Sequence, residues 1–134
     1  IKHQARPLIF SASMPPANIA AAIKALEIIK EEPQRVARLR HNGDLLRQKL
    51  QDEGFDTGDS ETPIIPLIVG DNEKTFMLWK MAFEQGLYVN PVISPAVPPQ
   101  RSLLRISCMA THTEEQIDFA VSMLKEGEAK LGLI

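Results

Sequence analysis

Apolar residues change period several times along this chain, and each change predicts an element. Behind Pro15 and Pro16, Ile19, Ile23 and Leu26 recur at helical spacing with Ala22 alongside. Proline is tolerated at a helix start, where the first N–H groups have no intrahelical acceptor, so a helix is expected over about 16–30. Glu32-Pro33 interrupts the pattern, and Val36, Leu39, Gly43, Leu46 and Leu50 then alternate steps of three and four, predicting a second amphipathic helix that ends near Gly54. The polar stretch 55–61 reads as a loop. Ile64-Ile65-Pro66-Leu67-Ile68-Val69 is a β-branched apolar run between Pro63 and Gly70, which predicts a strand. Pro66 has no N–H to donate, so that strand belongs at an edge or a bulge.

Downstream, Asn72 is the expected cap of a third helix, with Phe76, Trp79 and Phe83 on one face and Gly86 as its stop. Leu87-Tyr88-Val89 reads as a short strand, followed by a stiff loop carrying Pro91, Pro95, Pro98 and Pro99. Over 102–109 strand alternation returns, placing Leu103, Arg105 and Ser107 on one side and Leu104, Ile106 and Cys108 on the other. Thr113-Glu114-Glu115-Gln116 has capping-box form and opens a last helix built on Ile117, Val121 and Leu124. The order predicts an α+β fold, a small antiparallel or mixed sheet covered on one face by helices.

Composition narrows the function classes. A chain of 134 residues with 44% hydrophobic and 24% charged residues is globular in balance, and its net charge of −2 provides no basic footprint for nucleic acid. The arginines at 35, 38, 40 and 47 share their segment with Asp44, Asp52 and Glu53, so they are expected on a solvated helix face. The single cysteine, Cys108, excludes an internal disulfide and suits a reducing compartment, with the cytoplasm as the default localisation. No apolar run reaches the length of a membrane span. There is no glycine-rich phosphate loop, nucleophile elbow or metal-ligand spacing, and His3, His41 and His112 are scattered, as surface or helix-end residues would be. The opening Ile1-Lys2-His3-Gln4-Ala5-Arg6 reads as the interior of a longer chain.

Three ordered blocks carry a more specific signal. They are Arg6-Pro7-Leu8-Ile9-Phe10-Ser11-Ala12-Ser13 with Met14-Pro15-Pro16, then Thr62-Pro63-Ile64-Ile65-Pro66, and finally Gly86-Leu87-Tyr88-Val89-Asn90 through the proline loop to Leu104-Arg105-Ile106-Ser107 and Ala110-Thr111-His112-Thr113. Together they resemble the C-terminal part of the α-oxoamine synthases over nearly the whole chain. The resemblance implies the C-terminal domain of a fold type I pyridoxal-phosphate (PLP) transferase, a homodimer that condenses an acyl-CoA with an amino acid and usually releases its carboxylate. It further implies that residues 1–54 are a helical segment linking to a large cofactor-binding domain and that 55–134 are the C-terminal α+β domain. The cofactor lysine would lie upstream, leaving this chain inactive alone. By the same resemblance, Ser11 reaches the cofactor phosphate of the neighbouring subunit, with Ser13 the better helix cap. Ser94, Pro95, Ala96, Val97 and Pro98 form the mobile loop over the substrate, and Arg105 binds the amino-acid carboxylate. Many members have glycine where this chain has Gln100-Arg101. Serine palmitoyltransferase is the favoured likeness over 8-amino-7-oxononanoate synthase and 2-amino-3-ketobutyrate CoA ligase. The alternative from another class is a free-standing α+β binding or regulatory domain without cofactor, and a serine/threonine-lysine motif upstream in the reading frame would discriminate the two.

Overall fold

The computed structural model describes residues 4, 6 and 14–132. It divides into two compact units, Ile1–Pro33 and Gln34–Ile134. In the first unit, α1 (Pro16–Glu31) starts directly at the predicted proline, with Pro15 at its N-cap and Lys30 in its last turn, where a cation meets the negative end of the helix dipole. None of its residues is buried, and Ile19, Ile23, Leu26 and Ile29 are all exposed.

The second unit opens with α2 (Gln34–Asp52), continues through β1 (Ile64–Gly70), α3 (Asn72–Glu84), β2 (Asn90–Val92) and β3 (Ser102–Ser107), and closes with α4 (Glu114–Leu131). The three strands form one antiparallel sheet in the order β1-β3-β2. Pro66 accordingly stands in an edge strand, where its missing donor breaks no ladder on the outer side. Burial alternates along β3, with Leu104 and Ile106 buried and Arg105 and Ser107 exposed. The buried face meets Ile65 and Leu67 of β1, Leu46 and Leu50 of α2, Leu78 and Ala82 of α3, and Ile117, Val121 and Leu124 of α4 in one apolar core. The expected α+β fold, with its small antiparallel sheet and helices on one face, is what the chain adopts.

Local chemistry accounts for the helix ends. Thr113 Oγ1 accepts from the Gln116 N–H while the Gln116 side chain accepts from the Thr113 N–H, the predicted capping box. At α3 the cap is Asp71 rather than Asn72, because the Asp71 carboxylate accepts from the Lys74 N–H at 2.8 Å and Asn72 already lies inside the helix. The aromatic residues of α3 do share a face, with Trp79 stacked on Phe83 and tilted against Phe76, yet the core takes the neighbouring face with Thr75, Leu78 and Ala82. The strand expected at 87–89 instead begins at Asn90. Leu87 is tied back to the helix through its N–H on the Ala82 carbonyl, so pairing with β3 starts only beyond it. Arg35, Arg38 and Arg40 are solvated as expected, whereas Arg47 is drawn in, donating to Asp44 Oδ1 at 2.8 Å and the Thr62 carbonyl at 2.7 Å.

Helix α2 is pressed against the strand entry at Gly43, where a Cβ would stand 2.9 Å from the Pro63 Cα. Backbone cannot yield there as a side-chain tip can. Gly43→Ala gains about 1 kcal/mol of helix propensity but overpacks this contact by about 1–3 kcal/mol. A net loss of about 1 kcal/mol is expected in chemical denaturation, and an unchanged midpoint would show that the contact relaxes freely.

Candidate functional site

The sheet face turned away from the helices is the candidate site, and register decides what it displays. Arg105 pairs with Pro66 on one flank and with Asn90 on the other. Residues directly opposed across an antiparallel pair project to the same side, so all three share the open face. Leu103, Ile68, Val92 and Ile64 belong to it by the same register, so apolar positions flank the exposed Arg105 on this face. Among the described residues no carboxylate lies within ion-pair distance of that guanidinium, so it is free to take an anion from outside the unit.

The segment linking β2 to β3 contains Ser94, Pro95, Ala96, Val97 and Pro98, beyond the end of the same sheet. Two turns shape it, Ala96 N–H to the Ile93 carbonyl at 3.0 Å and Arg101 N–H to the Pro98 carbonyl at 3.1 Å. Its two ends meet on Asn72, whose Oδ1 accepts from the Ser94 N–H at 3.3 Å and from the buried Ser102 hydroxyl. Released from capping, Asn72 thus closes the base of the loop. Gln100 lies at φ 64, in the left-handed region that glycine adopts without penalty. The turn is therefore of a glycine-demanding kind although its residue is glutamine.

The other end of β3 is fixed from α2. Asn42, only 4% exposed, donates both amide hydrogens across the fold, to the Met109 carbonyl at 2.9 Å and the His112 carbonyl at 3.0 Å. Those carbonyls bracket the turn between β3 and α4, and the Cys108 N–H donates to the Pro63 carbonyl at 3.0 Å, carrying the β1 contact one step past the strand. Sequence reading passed over Asn42 and gave Asn72 the role of a helix cap rather than of a loop clamp. A polar residue within an apolar helical stripe, as Asn42 is beside Gly43 and Leu46, is the signal that could have found the first.

Behind β3 a cavity of about 360 Å³ is lined by residues including Leu46, Leu87, Ile106, Cys108, His112 and Ile117. Burial pushes the Cys108 thiol up and the nearby Arg47 charge opposes it only in part, so the thiol stays protonated at neutral pH and packs rather than reacts. His112 Nδ1 accepts from the Met109 N–H at 3.2 Å, which makes this histidine part of the turn before α4. Among the described residues no group of three or more His, Cys, Asp or Glu could hold a metal, and no helix is long and apolar enough to cross a membrane.

Ser11 and its neighbour Ser13 lie outside the described residues. Each described lysine is exposed or partly exposed, and Lys49 and Lys125 are engaged by Asp118 and Glu53. None of the described lysines is buried, as an amine activated by desolvation for a cofactor imine would be.

A family model for aminotransferase class I and II matches residues 1–124. The chain is 50% identical over 124 residues to a serine palmitoyltransferase of Sphingobacterium spiritivorum, covering 92% of this chain and 31% of that protein. It is 48% identical over its full length to a serine palmitoyltransferase of Bacteroides thetaiotaomicron, covering 34% of that protein. An 8-amino-7-oxononanoate synthase of Symbiobacterium thermophilum is 41% identical over 132 residues, 98% of this chain and 34% of that one. Among solved structures, SPT with its PLP internal aldimine superimposes with a TM-score of 0.89 at 32% identity, over 99% of this chain and 34% of that one. The chain therefore spans about a third of the length of the curated relatives it matches.

Proposed function

Because the chain belongs to the aminotransferase class I and II family, we propose that it is the C-terminal domain of an α-oxoamine synthase, a PLP-dependent acyltransferase that condenses an acyl-CoA with an amino acid. Serine palmitoyltransferase is the favoured member. The observation that carries this reading is the 48% identity to one such enzyme over the entire chain, above the 41% to an 8-amino-7-oxononanoate synthase. In this account residues 1–54 lead from the large domain into the C-terminal domain at 55–134, with α2 at the end of the leading segment packed into that domain's core. The intact enzyme is a cytoplasmic homodimer without metal or nucleic-acid partner.

PLP, when bound, supplies the electron sink for charge that develops at the amino-acid α-carbon. The residues of this chain bind and orient. Arg105 holds the substrate carboxylate, because a planar guanidinium donates two parallel hydrogen bonds and so fixes direction as well as charge. The loop of Ser94, Pro95, Ala96, Val97 and Pro98 covers the substrate from the end of the sheet, with Asn72 holding its base. Ser11 donates to the cofactor phosphate of the neighbouring subunit.

The 134-residue chain by itself is expected to be silent. Mixed with PLP, it should develop no lysine-linked visible absorbance, whereas the intact protein should. A stable chromophore on the isolated chain comparable to that of the intact enzyme would overturn the placement of the cofactor lysine elsewhere.

A further inference from the structure

The free arginine on the open sheet face has a neighbour that no role has yet claimed. Asn90 begins β2 and stands directly opposite Arg105 in the β2–β3 register. Opposed residues in such a pair hold their Cβ atoms about 4.5–5.5 Å apart. One bound group can therefore touch both side chains. Asn90 is partly buried, and among the described residues its carboxamide, like the Arg105 guanidinium, makes no side-chain hydrogen bond. The pair stands out because the flanking positions of this face, Pro66, Leu103, Val92 and Ile68, are apolar. A partly buried carboxamide with no side-chain partner among the described residues has its two N–H donors free for a group bound on this face.

We infer that Asn90 is a second substrate-binding residue, its amide donating to the amino-acid carboxylate that Arg105 holds; this rests on the role proposed for Arg105. A carboxylate offers about four lone-pair sites and the guanidinium fork takes two of them. A third donor from the adjacent strand keeps the carboxylate from hinging about the line through its two oxygens, the motion that a planar two-point fork leaves soft. Asparagine suits the place because it donates without charge. An aspartate there would instead pair with Arg105 and present an anion to the substrate.

The test uses the intact holoenzyme and its Asn90→Ala, Asn90→Asp and Arg105→Ala variants. The amino acid is titrated while the cofactor absorbance is followed, and the KM for acyl-CoA is measured alongside. Asn90→Ala should weaken amino-acid binding about tenfold, the loss of one hydrogen bond to a charged group. Asn90→Asp should weaken it further, to about a hundredfold, since it removes the donor and neutralises Arg105. The KM for acyl-CoA should stay put in both. Wild-type affinity in both Asn90 variants, with affinity lost in Arg105→Ala, would overturn this inference and leave the arginine reading standing. A loss confined to Asn90→Asp would overturn it too, since that pattern reports proximity without donation. If Arg105→Ala also binds normally, both readings fall. Should either Asn90 variant melt well below wild type, Asn90→Ser decides, with a small hydroxyl expected to restore part of the affinity and no restoration counting against a donor at this position.

Discussion

Leu104→Ala is expected to cost the second unit about 2–5 kcal/mol of folding stability, the range for truncating a fully buried leucine. Leu104 has 0% exposure and sits in the central strand, where it contributes to the cluster that also includes Leu67, Leu78 and Leu124. The loss combines the transfer free energy of the removed carbons with a cavity that the core cannot readily close, since α2 and α3 are held against the sheet and α4 against those two helices. The change leaves the register intact, so Arg105 should remain on the open face. Denaturant unfolding of the 134-residue chain and its variant measures the difference. A cost below about 1 kcal/mol would mean that β3 is not the centre of the core and that its alternation has been misread.

Arg105→Ala in the intact protein is expected to lose about 1.5–3 kcal/mol of amino-acid binding, the range for a hydrogen bond to a charged group. That is roughly a tenfold to hundredfold rise in the dissociation constant. The folding stability should barely move, because Arg105 is exposed and has no ion-pair partner within the described residues. Arg105→Lys keeps the charge and loses the fork, so it should fall between wild type and alanine. Titration of the three proteins with the amino acid, followed through cofactor absorbance, gives all of these values. An unchanged dissociation constant in the alanine variant would return Arg105 to an ordinary surface arginine.

These two neighbours also show what the sequence could and could not carry. Alternation alone assigned Leu104 and Arg105 to opposite faces, because a strand has a period of two and one face must be buried. The capping box at Thr113 and the edge position of Pro66 were equally legible, each being local chemistry with a single good solution. Asn90 was not. With a strand expected at 87–89 it falls into the loop, and only the observed register, which depends on how the chain leaves α3 at Leu87, brings it opposite Arg105. Asn72 was misassigned for a related reason, since Asp71 and Asn72 are both good caps and the choice depends on the loop at Ser94 and Ser102 competing for the asparagine. Asn42 is a third case, because its partners Met109 and His112 lie far along the chain and no local pattern announces them. The motif resemblance did select Arg105, but geometry was needed to show that it is unpaired.

The most direct measurement of the central claim is thiol release from an acyl-CoA by the intact protein loaded with PLP, in the presence and absence of amino acid. Release that requires both the amino acid and the cofactor, is greatest with L-serine and a long-chain acyl-CoA, and is absent from the 134-residue chain alone is the predicted result. Release that ignores the amino acid, or an intact protein that transfers no acyl group to any amino acid tested, would contradict it.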